Sequence, residues 1–217
     1  MSLRNQLKDH YQPRSFFDPT KNYSRIPQRL VEKYKDKTIL DVGAGNRHLG
    51  ENVITLDRFS QADISADALS LPIKPSSVEV VVSIAVLEHL KEPTQAINEM
   101  NRVLKKDGEV YLEIPFLQPF HASPNDFYRA TLPGLKHWCR NFKELESGAC
   151  VGPGSAVAWI EIEYLRLWFR HIPILGITAE LLFRLWALPL KFLDYFLIKR
   201  KDAHITASAV YFHGKKV

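Results

Sequence analysis

The chain has 217 residues, enough for one α/β domain with a sizeable core, and 46% of them are hydrophobic, which excludes a disordered or fibrous protein. Its net charge of +5 comes without a basic stripe interleaved with aromatics, which argues against a nucleic-acid partner and leaves an anionic substrate or membrane surface open. Two cysteines, Cys139 and Cys150, with no paired His/Cys spacing and no secretory leader, predict no metal site and a reducing, cytoplasmic compartment.

Residues 1–30 carry Pro13, Pro19 and Pro27 among Tyr11, Phe16, Phe17, Tyr23 and Arg25, which predicts an N-terminal arm of short pieces. Gln28 to Tyr34 predicts a short helix. The informative stretch is Thr38 to Asp57. Ile39, Leu40 and Val42 read as a buried strand, Gly43-Ala44-Gly45 breaks it, and a second run, Val53 to Leu56, ends in Asp57. Glycine has no Cβ to keep a ligand away from backbone. An acid at the end of the second strand can accept hydrogen bonds from ribose hydroxyls. The pattern is that of a nucleoside site. His48 stands where a dinucleotide fingerprint needs its third glycine, which makes a nucleotide-dependent oxidoreductase the weaker alternative, and no Gly-Lys-Ser/Thr follows for a P-loop.

DVGAG, from Asp41 to Gly45, resembles the acid-x-Gly-x-Gly motif of class I S-adenosylmethionine-dependent methyltransferases, in particular the type 11 group. The resemblance implies S-adenosyl-L-methionine as cofactor. It places Asp41 near the cationic methionine part, Gly43, Ala44 and Gly45 in the binding turn, and Asp57 with Arg58 at the ribose. It also implies that the N-terminal arm closes as a flap and presents Tyr11 or Tyr23 to the substrate, against the plainer reading of a surface arm packed by its aromatics. Only five residues separate Asp57 from Asp63, fewer than the ten or so that a parallel crossover normally takes, so the helix between the second and third strands is expected to be absent or reduced. Asp63 to Pro72, DISADALSLP, resembles the family's Asp-Ala-x-x-Leu-Pro segment. That implies Asp67 on the adenine amino group and the N–H of Ala68 or Leu69 on a ring nitrogen.

Ser77 to Ser83, SVEVVVS, predicts the central fourth strand. Ile84 to Leu90, IAVLEHL, resembles the family's following loop, and with it Ser83 and His89 join the cofactor neighbours; by itself His89 reads as a packing or capping residue. Pro93 opens a helix in which Ala96, Ile97, Met100, Val103 and Leu104 recur at helical spacing until Lys106-Asp107-Gly108, and Glu109 to Ile114 predicts the next strand. The loop that follows, residues 116–129, lies where open α/β sheets bind ligands, beyond the carboxyl ends of the strands. It concentrates His121, Asp126, Tyr128 and Arg129, which offer a general base, its orienter, a phenol and an anion-binding fork. His121, Asp126 and Tyr128 are the candidate catalytic residues. The competing reading is a proline-stiffened loop whose polar groups satisfy its own backbone.

Leu132 to Phe142 predicts another helix. Residues 156–200 hold two apolar stretches with Trp159, Trp168 and Trp186, broken by Pro173 and Pro189. Charges such as Glu161, Arg166, Arg170, Glu180, Lys191 and Asp194 each cost about 2.5–3.5 kcal/mol at a bilayer centre, which argues against spanning. The segment is expected to be a helical insertion that covers the substrate pocket or forms a homodimer face, with contact to a membrane surface beside Lys199-Arg200-Lys201 as the other option. The alternating run from Ala203 to Phe212 predicts the last strand, which in the family is inserted antiparallel between the fifth and sixth; its neighbour is expected around residues 144–151.

The expected fold is therefore α/β, a Rossmann-like seven-stranded sheet with helices on both faces and a helical insertion before the last strand, with residues 1–30 as arm and 31–217 as the domain. The expected function is methyl transfer to a small-molecule acceptor, amphiphilic and of lipid or glycan type, as in bacterial members of the family. The alternative from another class is a catalytically silent cofactor-binding or partner-binding protein.

Overall fold

The computed structural model describes residues 18–122, 124–169 and 172–217, and only the backbone of 173–175, 177, 179 and 180. Its strands are β1 (Ile39–Val42), β2 (Val53–Asp57), β3 (Ile64–Ser65), β4 (Val78–Ile84), β5 (Leu104–Pro115), β6 (Phe142–Val151) and β7 (Ala209–Lys216). They form one sheet in the order β3-β2-β1-β4-β5-β7-β6. The first five pair in parallel, and β7 runs antiparallel between β5 and β6. The helices are α1 (Ile26–Lys33), α2 (Pro93–Val103), α3 (Leu132–Trp138), α4 (Pro153–Phe169) and α5 (Pro173–Leu197).

Helices on both faces explain why β1 and β4 are apolar nearly throughout. On one face Leu40, Val42, Val81, Val110 and Leu112 pack against Ala96, Ile97, Met100 and Val103 of α2 and Leu135 of α3. On the other, Ile39, Val80, Val82 and Tyr111 lie under Ile26 and Leu30 of α1. No helix stands between β1 and β2 or between β2 and β3 among the described residues. The second connection closes because the Asp63 carboxylate accepts from the Thr55 N–H at 2.9 Å and its hydroxyl at 2.7 Å, beside a parallel ladder only two residues long. A loop this short has no room for a helix, so a carboxylate takes over the tie.

Several boundaries differ from the sequence reading, among them the end of α3 at Trp138 rather than Phe142. α1 begins at Ile26 with Pro27 in its first turn, where the missing N–H has no helical partner to lose. α2 ends at Val103, and residues 105–108 bulge from β5, since Val78 pairs with Leu104 and Val80 with Glu109; Asp107 takes φ 64° there. Residues 203–205 are a 3-10 turn, and β7 starts at Ala209 and continues through the basic tail, with Glu109 opposite Lys215. That register stacks Tyr211 on Tyr111 at 5.7 Å. Pro189 lies inside α5 without ending it.

α4 and α5 form a hairpin packed through Ala158, Ile162 and Ala187. Asp194 of α5 is fully buried and caps the start of α4, accepting from the N–H groups of Gly154 and Ser155 at 2.6 and 2.8 Å and from the Ser155 hydroxyl at 2.7 Å. A Cβ on Gly154 would stand 2.1 Å from the Leu190 carbonyl oxygen, so only glycine fits this crossing. Lys191 donates to the Asp18 carbonyl, and the Tyr23 hydroxyl donates to the Lys191 carbonyl. Two of the charges that argue against spanning, Lys191 and Asp194, thus dock the hairpin. Among the described residues no helix is long and apolar enough to cross a membrane. Outward, the hairpin leaves Tyr164, Trp168, Trp186 and Phe196 exposed.

Two tests follow from this packing. Asp194→Ala strands two buried N–H groups and lowers stability by about 2–4 kcal/mol, read as the urea midpoint, with early proteolytic cleavage in the hairpin. Glu109 is 4% exposed and bonded by Lys33 (2.5 Å), His213 (2.8 Å) and Tyr34 (2.9 Å). Burial alone would raise its pKa, but the bonds from Lys33, His213 and Tyr34 outweigh burial and hold it below the ordinary value. A depressed carboxylate stabilises above its unfolded pKa, about 4.3, and that contribution is lost as pH falls through the folded value. Urea melts taken at falling pH should therefore show a shallower acid limb in Glu109→Gln than in the wild type.

Candidate functional site

β1 delivers its acid and its glycines to the carboxyl edge of the sheet. Gly43 takes φ +69°, and a Cβ there would stand 2.3 Å from Val86, so glycine lets the segment after β4 close over the turn. Gly45 takes φ +55°, and a Cβ on it would meet no atom within 4 Å, so this side of the turn is open to a ligand. Gly43 and Ala44 donate to the Leu56 carbonyl, which fastens the turn to β2. Asp41 is fully buried and paired two-pronged with Arg47, Nε–Oδ2 at 2.9 Å and Nη2–Oδ1 at 2.5 Å. Arg47 also donates to the Ile84 carbonyl, so it ties β1 to β4. Burial pushes the Asp41 carboxyl above its usual value against the pull of Arg47.

Asp57 accepts from three backbone N–H groups, those of Gly45 (2.9 Å), Phe59 (2.7 Å) and Ser60 (2.9 Å). Partial burial would raise its pKa; the bonds from Phe59, Gly45 and Ser60 outweigh that and keep it low, so the carboxylate is an anion beside the open turn. Arg58 reaches across to Asp67, whose other oxygen accepts from the Leu69 N–H at 2.9 Å. Ala68 is buried beneath this loop. Phe59, which sequence reading did not single out, is 74% exposed beside Asp57 with the Arg58 guanidinium 5.5 Å over its ring.

Ser83 lies deeper, fully buried, with its hydroxyl donating to the Val42 carbonyl at 3.0 Å; it braces β4 against β1. Just past β4, Ala85 sits at φ 55°, a conformation that costs a non-glycine residue about 1 kcal/mol or more. The chain then turns through residues 87–89, which buries Glu88 completely and sets His89 beside it. The 116–129 loop docks here: Phe127 N–H donates to the Glu88 carbonyl at 2.7 Å, and His89 Nδ1 meets the Asn125 carbonyl at 2.5 Å. Docking brings His121 Nε2 to 3.8 Å and His89 Nε2 to 3.7 Å from Glu88 Oε1. Burial works against a charge on His121, but the Glu88 carboxylate and the Pro119 carbonyl outweigh it and raise the pKa. Trp159 of α4 packs on the His121 ring at 5.5 Å and closes the corner from above.

The other loop residues hold shape. Asp126 is paired with Arg129 and accepts from the His121 backbone N–H at 2.8 Å, while the His121 ring Nδ1 is 3.9 Å away; Glu88, not Asp126, faces the reactive ring nitrogen. Burial would raise the Asp126 pKa, and Arg129 with the His121 N–H pulls it below its usual value. The Tyr128 hydroxyl donates to the Lys91 carbonyl at 2.9 Å. A cleft of about 470 Å³ opens beside the glycine turn, lined by Asn22, Ser24, Gln28, Asn46, Arg47 and Glu113 among others. Asn22 donates to Glu113 at 2.7 Å, so the end of the arm does wall the cleft. Tyr23 instead points to α5 through its bond to Lys191, and Tyr11 lies outside the described residues. Sequence reading missed Glu88, Arg47 and Trp159 as parts of the site; the Glu-His dipeptide in LEHL was the available signal for the first.

Residues 30–112 match the family described as "Methyltransferase domain". Among curated proteins, the chain is 21% identical over 144 residues to a tRNA U34 carboxymethyltransferase of Campylobacter fetus, covering 50% of this chain and 51% of that one. It is 28% identical over 127 residues to a probable S-adenosylmethionine-dependent methyltransferase of Mycolicibacterium smegmatis, covering 45% and 49%. The chain thus spans about half the length of these curated relatives. Among solved structures, it resembles the 1,6-didemethyltoxoflavin-N1-methyltransferase of Burkholderia thailandensis, solved with 1,6-didemethyltoxoflavin and S-adenosylhomocysteine, at a TM-score of 0.56 and 10% identity, over 98% of this chain and 83% of that one. That likeness is one of fold.

Arg47→Leu leaves the Asp41 carboxylate buried without its partner and should lower stability by about 3 kcal/mol. Adding Asp41→Asn removes the stranded charge and should restore much of the loss, which chemical denaturation of the single and double variants measures.

Proposed function

We propose that this chain, whose residues 30–112 match a methyltransferase domain on a seven-stranded sheet, is a class I S-adenosylmethionine-dependent methyltransferase that transfers the methyl group to a small amphiphilic acceptor. The observation that carries this reading is Gly45: a positive φ, open space where its Cβ would be, and an N–H bonded to the anionic acid at the end of β2. When bound, the cofactor supplies a sulfonium methyl that an acceptor atom takes in line, the C–S electron pair staying on sulfur.

The residues of this chain divide the work. Asp57, held anionic by three N–H groups, receives the ribose hydroxyls, and the exposed ring of Phe59 offers a stacking face for the base. Asp67, with Ala68 and Leu69, lies next along the chain for the adenine edge. Asp41, Arg47 and the cleft beside them take the polar methionine end. Ser83 and His89 stand behind and beside the turn in supporting positions. The acceptor enters at the corner of Glu88, His89 and His121 under Trp159, where proximity and orientation supply most of the rate. Asp126 and Tyr128 hold the loop that carries His121. An apolar, aromatic lid with exposed Trp168, Trp186 and Phe196 supports an amphiphilic acceptor reached from a lipid surface or through a second copy of the chain.

Calorimetry should find S-adenosylhomocysteine bound and NAD not bound, with Asp57→Ala weakening the former about tenfold to a hundredfold. His121→Ala should remove turnover and leave that affinity in place. Binding of NAD in place of S-adenosylhomocysteine would discard the cofactor assignment; turnover on tRNA but on no lipid- or glycan-type amphiphile would discard the acceptor class.

A further inference from the structure

Glu88 is a buried carboxylate with neither oxygen hydrogen-bonded in the structure, although it is fully shielded from water. An uncompensated buried charge costs several kcal/mol, so such a group needs a cation that direct contacts do not supply. His89 Nε2 at 3.7 Å and His121 Nε2 at 3.8 Å from its Oε1 are too far for hydrogen bonds. Charge-assisted N–H···O pairs would close to about 2.8 Å. Two ligands each about 2.1 Å from a shared ion at a tetrahedral angle stand about 3.4 Å apart, much nearer the observed spacing. One ligating atom from each of the three residues lies within 4.8 Å of the others.

The far side of each ring points the same way. His89 Nδ1 meets the Asn125 carbonyl at 2.5 Å and His121 Nδ1 the Pro119 carbonyl at 3.1 Å. Arg129 Nη2 is also 3.2 Å from His121 Nδ1, but its two hydrogens go to the Pro119 carbonyl (2.9 Å) and Asp126 (2.6 Å), which leaves Nδ1–H as a donor to Pro119. With Nδ1–H fixed on a carbonyl, each neutral imidazole presents its Nε2 lone pair toward Glu88, the tautomer of a metal ligand held by an outer hydrogen bond.

We propose that Glu88, His89 and His121 bind one divalent transition-metal ion at the acceptor corner. Two imidazoles and one carboxylate suit Mn²⁺, Fe²⁺, Co²⁺ or Zn²⁺ rather than Mg²⁺ or Ca²⁺, which prefer all-oxygen sites. Three protein ligands leave positions for an acceptor oxygen, whose proton then passes to water more readily. That consequence rests on the methyl-transfer reading; the ion site does not. It also gives His121 a defined part on the acceptor side, as a ligand.

The test uses the full chain, stripped with chelator and titrated with Mn²⁺ under electron paramagnetic resonance and with Co²⁺ under visible absorption. One ion per chain is expected, with Glu88→Gln, His89→Ala and His121→Ala each weakening binding at least about tenfold. Mn²⁺ should raise the melting temperature of the wild type and not that of Glu88→Gln, whose metal-free form should melt no lower than the metal-free wild type because it carries no stranded charge. No ion bound up to about 1 mM, or wild-type affinity in all three variants, would overturn the site. Loss of S-adenosylhomocysteine binding in the wild type sinks the methyl-transfer reading and leaves the ion titration to be judged separately.

Discussion

The pairing of Asp41 with Arg47 holds the carboxyl edge of this sheet together. Asp41 lies within the buried run of β1, and its carboxylate would be untenable there without the guanidinium, which reaches on to the end of β4. The glycine turn is thereby clamped between two central strands. Gly45 and Asp57, bonded to each other beside the open turn, are placed relative to that clamp.

The same economy runs through the first half of the sheet, where the crossover helices are missing. Short loops take their place, and carboxylates fasten them: Asp57 to Gly45, Phe59 and Ser60, Asp63 to Thr55, Asp67 to Leu69 and Arg58. An anion that accepts several backbone donors is rigid and stays charged. In the proposed function, structural tie and ligand contact fall on the same side chains. The second half of the sheet is built differently, with α2 and α3 packed as conventional cover and the acceptor corner assembled from a 3-10 turn, a docked loop and the α4–α5 hairpin.

The hairpin carries two opposed surfaces. Its inner edge is tied down by Asp194 and Lys191 and lays Trp159 on His121, whereas its outer edge shows aromatic rings to solvent. Two of the charges that looked in the sequence like obstacles to membrane insertion, Lys191 and Asp194, are buried docking groups. Composition weighs their number; it has no access to which helix face they occupy.

By itself the sequence determined β1, β2 and β4, the glycine turn and the acids at strand ends, because those depend on a periodicity of two, on turn chemistry and on neighbours within a few residues. It also indicated, by simple counting of Asp57 to Asp63, that the helix of the second crossover would be absent or reduced. The tertiary structure alone decided the register of β7, which follows β5 and β6 rather than its own alternation and so draws Lys215 and Lys216 into the sheet. It alone decided that Glu88 faces His121, that Arg47 answers Asp41, and that Asp194 caps a helix forty residues away. Such contacts join surfaces distant along the chain, and which surfaces meet is settled only when the whole sheet and its cover are buried together.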